Sequence, residues 1–315
     1  MFKAKKVLVS AIALALLATT GIQPSTAAPK NQARAVVQAD WLEQNVDNPK
    51  VRIIEVSTEP GIYERGHIKN AAKIVWHTDL VDTVNRDIAS AKNFQKLAQK
   101  IGINKDTTIV LYGDKNNWFA AWGAWLFNIY GATDVRILDG GRVKWEKDGR
   151  ALTTAVPAFK AGNFTTRVAD KSLRATLLQD VLPVAKKRVK ADLIDIRGAD
   201  EFSGKIFAAP GFQELAVRAG HIPGAINVPW GQNVNADGTF KTVAELKKLY
   251  ADKGVDGKQN IITYCRIGER SSLTWFVLSE ILGYNVKNYD GSWTEYGNSV
   301  GVPINNPAGT IWGNS

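Results

Sequence analysis

Short runs of apolar, mostly β-branched residues recur along the chain, and longer stretches with helical period separate them. Val51-Arg52-Ile53-Ile54-Glu55-Val56 and Ala191-Asp192-Leu193-Ile194-Asp195-Ile196 form one matched pair, each with an acid near its end. Such runs are the mark of strands buried on both faces of a parallel sheet. Gly66-His67-Ile68 with Ala71-Ala72 is answered by Gly220-His221-Ile222 with Gly224-Ala225, and a tryptophan follows each, Trp76 or Trp230. Thr107–Tyr112 and Gln259–Tyr264 form a second pair of strands, each running into a predicted amphipathic helix that closes at a glycine. Nineteen positions separate Tyr112 from Gly131, and nineteen separate Tyr264 from Gly283, so the two halves are in register here. A further short strand and an Asp-Gly turn close each half, at Asp139-Gly140-Gly141 and Asp290-Gly291-Ser292.

Strands alternating with helices predict α/β domains with parallel sheets and helices on both faces. The repetition predicts two of them, over residues 31–158 and 172–312, and 315 residues suffice for two full cores. Thr153–Asp170, with Pro157 and little helical period, reads as the linker. The second half is longer by an insertion around Lys205–Arg218, rich in Gly, Pro and Ala. Such a loop is expected near the strand ends, where open α/β sheets bind ligands.

The start of the chain follows another pattern. Lys3, Lys5 and Lys6 precede an apolar run from Val7 to Ala18, and Ser25-Thr26-Ala27-Ala28 precedes Pro29. Residues 1–28 therefore read as a secretory signal peptide, with an apolar run too short to span a bilayer comfortably. An exported protein, periplasmic or secreted and without a stable membrane anchor, is expected. The formal charge is +10, of which three charges lie in those residues, leaving +7. That bias attracts small anions. No basic stripe is interleaved with aromatics, so nucleic acid is not expected as a partner. Lys186, Lys187, Arg188 and Lys190 read as a solvated face.

Exported proteins normally use cysteines in disulfide pairs, yet this chain has one, Cys265. It opens the segment Cys265-Arg266-Ile267-Gly268-Glu269-Arg270-Ser271-Ser272, between a buried strand and a helix. Successive backbone N–H groups in such a loop form an anion-binding nest, and the helix N-terminus and two arginines add positive charge. Those features predict a nucleophilic thiolate. Gly268 allows a tight loop, and Ser271 or Ser272 is the expected N-cap. His67, His77 and His221 lack metal-ligand spacing, and one cysteine builds no zinc cluster, so no metal is expected. There is no phosphate-binding or dinucleotide fingerprint either, and no cofactor is expected. His67 and His221 recur at equivalent places, which predicts a structural hydrogen-bonding role.

The loop, the repeated Gly-His-Ile elements and the two-part layout resemble the tandem-domain rhodanese family, the thiosulfate sulfurtransferases. The resemblance covers nearly all of the chain beyond the leader. It implies an α/β fold of two rhodanese-like domains, each a five-stranded parallel sheet flanked by helices. It implies that Cys265 carries a persulfide, that Arg266, Ile267, Gly268, Glu269 and Arg270 cradle the substrate, and that Asp195 is a site residue. The first half is expected to be inactive, because Gly113 and Asp114 stand where Cys265 and Arg266 stand in the second. Where some animal members have a substrate-binding arginine, six residues after the aspartate, this chain has Glu201; Arg197, Arg218 or Arg270 is the candidate replacement. Arg270 has a second reading, as a salt bridge to Glu201 or Asp195.

The implied partners are thiosulfate, as a small anionic donor, and a nucleophilic acceptor such as cyanide or a thiol, with a monomer favoured. Cysteine phosphatases and arsenate reductases have a similar Cys…Arg-Ser ending but need five residues between Cys and Arg; here there are four. Two alternatives stay open: a 3-mercaptopyruvate sulfurtransferase, and a non-catalytic sulfur-binding or redox-sensing protein on the same fold. Mercaptopyruvate enzymes tend to have a small residue after the cysteine, whereas Arg266 suits the doubly charged thiosulfate.

Overall fold

Side chains alternate across each strand, and this parity builds two layered domains that share an inner core. The computed structural model describes residues 32–312 apart from position 214; the expected leader, residues 1–28, lies outside the described residues. In chain order the first half contains β1 (Val36–Val37), β2 (Val51–Glu55), β3 (Ala72–Lys73), the hairpin strands β4 (Val81–Asp82) and β5 (Asp87–Ile88), β6 (Thr108–Tyr112) and β7 (Val135–Leu138). Five of these form a parallel sheet in the order β1-β7-β6-β2-β3. The second half contributes β8 (Asp192–Asp195), β9 (Ile226–Asn227), β10 (Ile261–Tyr264) and β11 (Val286–Asn288), in the order β11-β10-β8-β9 and again parallel.

Among the described residues the second sheet thus has four strands, where the resemblance implies five. The segment at the edge position meets β11 through a single bridge at Arg174. Asn288 N–H donates to Leu173 O, and Ala175 N–H to Asn288 O, each at 3.0 Å. The next residue turns away, its N–H taken by the Asp180 carboxylate at 2.8 Å. One bridge does not make a ladder.

Strand parity sorts the core. Ile54, Val56, Ile109 and Leu111 share one cluster with Ile194, Ile196, Ile261 and Cys265. Their alternate neighbours face outwards, Ile53, Val110 and Tyr112 in one half and Leu193, Ile262 and Tyr264 in the other. The helices Trp118–Ile129 and Glu269–Phe276 pack against each other between the two sheets. They are not amphipathic as the pattern predicts: ten of twelve residues are buried in the first and all eight in the second. A helix between its own sheet and a partner helix has no solvent face to keep polar.

The acids that end β2 and β8 are both buried in ion pairs, through different arginines. Glu55 takes Arg142 Nη1 at 2.9 Å and the Tyr112 hydroxyl. Asp195 takes Arg197 Nε at 3.0 Å and Nη2 at 2.7 Å, and Arg197 also donates to Gly220 O at 2.7 Å. The Arg197 guanidinium lies 4.7 Å from the centre of the Trp293 ring, the residue that matches Arg142 in the closing turn. Arg197 is 1% exposed and Asp195 is fully buried, so this pair braces the end of β8 and leaves no free cation for a substrate. Burial works against the charge on Arg197, but Asp195 outweighs it and holds the guanidinium above its ordinary value.

Removing one partner of a buried pair leaves an uncompensated charge, which costs about 3–5 kcal/mol. Arg197→Met is therefore expected to lose roughly that much in urea unfolding, and the Asp195→Asn, Arg197→Met double variant should recover much of it. An Arg197→Met protein of unchanged stability that bound donor poorly would return Arg197 to the substrate site.

Candidate active site

The site begins with parity. Counting along β10, Ile261 faces inwards and Ile262 outwards, so Cys265, just past the strand, faces inwards towards the first half. The chain then loops over Arg266 and Ile267 and enters the helix at Glu269. Gly268 makes the corner at φ +96°, and a Cβ there would stand 2.6 Å from Asp290 Cα. Both the backbone angle and the close approach demand glycine. This corner aims the Gly268 N–H at Cys265 Sγ, 3.1 Å away.

A polar network behind the loop fixes the corner. Cys265 N–H donates to Ser292 Oγ at 3.1 Å. Gly268 itself occupies the N-cap position, with no side-chain cap. The expected capping serines serve differently: Ser272 Oγ donates to Gly268 O at 2.7 Å and Ser271 Oγ to Asn288 Oδ1 at 2.7 Å. Asn288 Nδ2 donates to Ser272 Oγ at 3.0 Å.

The electrostatics differ from the predicted thiolate. Cys265 is fully buried. Burial pushes the thiol up, the Glu269 carboxylate pushes it the same way, and Arg270 and Ser271 pull it down by less. The Sγ–H donates to Glu269 Oε2 at 3.4 Å. Arg270 is forked onto Glu201, Nη1 to Oε2 at 3.1 Å and Nη2 to Oε1 at 3.2 Å, with Nε 3.9 Å from Glu269 Oε1. Desolvation opposes its charge, but Cys265, Glu201 and Glu269 together raise Arg270 above its ordinary value. Burial and Glu269 thus work against the thiolate in this arrangement, and the nearby cation is shared between two acids.

The other expected residues fall into two groups. Arg266 turns outwards, where Nη1 donates to Gln213 O and the guanidinium lies 5.5 Å from the Phe212 ring centre. Phe212 is also 5.6 Å from the Arg270 guanidinium, so the insertion lies over the loop, as its position in the sequence predicts. The Ile267 carbonyl accepts from Arg86 of the first half, Nη2 at 2.8 Å. Asp195 and Arg197 are occupied with each other and are not brought onto the sulfur. Arg218 donates to the carbonyls of Gly297, Val302, Tyr296 and Ser299. Of the candidate replacements at Glu201, only Arg270 stands beside the loop, and Glu201 is what holds it.

In the first half the matching loop is filled by its own side chains. Asp114 accepts from the N–H of Thr58 at 3.1 Å and of Glu59 at 2.8 Å, and Asn117 Oδ1 accepts from Gly113 N–H at 3.0 Å. A Cβ at Gly113 would lie 2.3 Å from Val56 O, so a cysteine does not fit without backbone movement. The two histidines do the same job in both halves. His67 stacks on Tyr63 and His221 on Phe202, each with centroids 3.7 Å apart, and each Nδ1 meets the backbone carbonyl of its stacking partner. Among the described residues, no group of three or more His, Cys, Asp or Glu is placed to hold a metal ion.

Because the Glu269 charge raises the thiol, Glu269→Gln should move the midpoint of Cys265 alkylation by a neutral reagent to lower pH. Thiolate forms as pH climbs through the folded-state value, so the variant should react faster on the acid side. A midpoint that stayed put or rose would contradict the assigned neighbour.

The sequence model of the rhodanese-like domain matches residues 38–148 and 180–299. A protein of Mycolicibacterium smegmatis named "Putative thiosulfate sulfurtransferase" is 51% identical over 271 residues, spanning 85% of this chain and 96% of that one. The "Sulfur carrier protein TtuD" of Thermus thermophilus is 49% identical over 274 residues, spanning 85% and 95%. Among solved structures, SseA of Escherichia coli, described as a 3-mercaptopyruvate sulfotransferase, superposes with a TM-score of 0.70 at 28% identity, over 82% of this chain and 98% of that one. One matched segment falls in each half, around the two parallel sheets, and the chain belongs to the tandem-domain rhodanese family of sulfurtransferases.

Proposed function

We propose that this protein moves the outer sulfur of thiosulfate to cyanide or a thiol acceptor through a persulfide on Cys265. The observation that carries the reading is the buried sulfur of the only cysteine, held by the Gly268 N–H and within reach of the Glu269 carboxylate. In the first step Glu269 takes the thiol proton. The thiolate attacks the outer sulfur of thiosulfate, the Sγ–S bond forms, the S–S bond of the donor breaks, and sulfite leaves with the electron pair. The loop amide then faces a Cys–S–S⁻ anion in a buried site. Cyanide attacks the terminal sulfur, the Sγ–S bond breaks, thiocyanate leaves, and the Cys265 thiolate takes its proton back from Glu269. No step calls for a metal or an organic cofactor.

Arg266 favours thiosulfate over mercaptopyruvate in this reading. Among the described residues its guanidinium meets the insertion through a backbone carbonyl and a ring face, contacts for which a sulfonate can compete. The relative named as a sulfur carrier supports a protein that holds sulfur and passes it on. The basic and apolar start of the chain supports action outside the cytoplasm.

With no acceptor present, thiosulfate should release a burst of one sulfite per chain, and Cys265→Ser should release none; a burst from the serine variant would overturn the reading. Hydrogen bonds to charged groups contribute about 1.5–3 kcal/mol, roughly ten- to a hundredfold in kcat/KM. Arg266→Gly is expected to lose about that much with thiosulfate and clearly less with mercaptopyruvate. Equal losses with both donors would remove Arg266 from donor selection.

A further inference from the structure

The first half has no nucleophile, yet one of its side chains reaches the loop that does. The hairpin β4–β5 projects from the first domain, and its turn residue Arg86 crosses to the second. There Arg86 Nη2 donates to Ile267 O at 2.8 Å and to Asp290 O at 3.0 Å, and Nη1 lies 3.4 Å from Asp290 Oδ2. The Ile267 carbonyl belongs to the same peptide unit as the Gly268 N–H, which donates to Cys265 Sγ at 3.1 Å. One peptide plane thus has an arginine on its carbonyl and the reactive sulfur on its amide. A cation on the oxygen polarises the peptide, strengthens the amide as a donor and fixes the plane that aims it.

The backbone at this turn is unusual. Arg86 has φ +52°, a region that residues other than glycine rarely adopt. The corresponding turn of the second half, which reaches back to the first-half loop, has Gly238 at φ +82° beside Gly140 O. Where glycine serves in one half, the other keeps an arginine in the same left-handed region, on the side that faces the cysteine.

We propose that Arg86 is a positioning residue for the sulfur chemistry, acting across the domain interface through the Ile267–Gly268 peptide. The first half is then a working part of the site and not only a support for it. The proposal rests on Cys265 being the sulfur carrier for its consequence in turnover, but its geometry bears on the thiol alone. Other charges face the thiol and this peptide: Glu269 and Arg270 on the loop helix, Glu201 behind Arg270, and Arg266 on the outer flank. Asp290 lies under Gly268, with Arg174 bound to it at 3.1 Å and to Asp87 at 2.6 Å. Because Arg174 stays on Asp290, removing Arg86 does not leave that buried carboxylate alone.

The test compares Arg86→Met and Arg86→Lys with Asp87→Asn, which breaks the neighbouring Arg174 tie between hairpin and second domain and leaves Arg86 in place. Cys265 alkylation by a neutral reagent is followed against pH, and sulfite release from thiosulfate is followed separately. Arg86→Met is expected to raise the alkylation midpoint by roughly 0.5 unit, below the one- to three-unit effect of a directly adjacent charge. It should also slow the sulfite burst about tenfold, with a smaller change in the thiosulfate concentration that half-saturates it. Arg86→Lys should restore part of both, and Asp87→Asn should change neither. An unchanged midpoint in Arg86→Met, or an equal shift in Asp87→Asn, would reduce Arg86 to a docking contact and overturn the proposal. A midpoint shift in a protein that released no sulfite would sustain the positioning role and overturn the sulfurtransferase reading instead.

Discussion

Everything at the candidate site depends on one hydrogen bond, from the Gly268 N–H to the fully buried sulfur of Cys265. A buried sulfur anion is costly unless donors replace its hydration. Here the nearest donor is a backbone amide, and a carboxylate on the other side opposes the charge. The loop must therefore keep that amide aimed, and the surrounding residues serve this end. Gly268 takes a left-handed angle against Asp290, Ser272 and Asn288 hold the following carbonyl region, and Ser292 holds the cysteine's own N–H. An anionic persulfide extends the same demand by one atom.

The duplication explains how the loop comes to lie where a second domain can act on it. Parity along β10 turns Cys265 to the inner face, where the two halves share a core built on two fully packed helices. The halves have since diverged in their polar interiors. The strand-end acid is met by an arginine of the closing turn in the first half and by Arg197 in the second. The loop of the first half is filled by Asp114 and Asn117, and the insertion of the second lies over Arg266 and Arg270. Each half contributes what the other lacks: a nucleophile on one side, and a hairpin that reaches it on the other.

Much of this was legible in the sequence, because the repeat sets strand order and the Cys265–Ser272 segment has a glycine and two arginines at telling positions. The upward push on the thiol was not, since flanking arginines suggest a lowered pKa and only the fold shows the burial of Cys265 and Glu201 and Glu269 drawing Arg270 away. Asp195 reads as a site residue through the family resemblance and Arg197 as a replacement for the arginine missing at Glu201, but a buried acid two residues from an arginine is also the simplest local ion pair. Trp118–Ile129 is apolar on nearly every side, so its sequence already points to full burial, whereas the polar residues of Glu269–Thr274 give no sign in a sequence window that they are buried as well. In the sequence Ser292 is only part of a turn, and Asn288 carries no signal. Arg86 lies about 180 residues from the carbonyl it binds, in a hairpin with no motif of its own.

The central claim is that this buried sulfur accepts and returns one sulfur atom. Intact-protein mass spectrometry tests it most directly, on the full chain before and after incubation with thiosulfate and again after cyanide. The expected result is a mass increase of one sulfur atom, located at Cys265 by fragmentation and lost on adding cyanide. A protein that turned over thiosulfate while its mass never changed, or that carried the added sulfur elsewhere, would contradict the account.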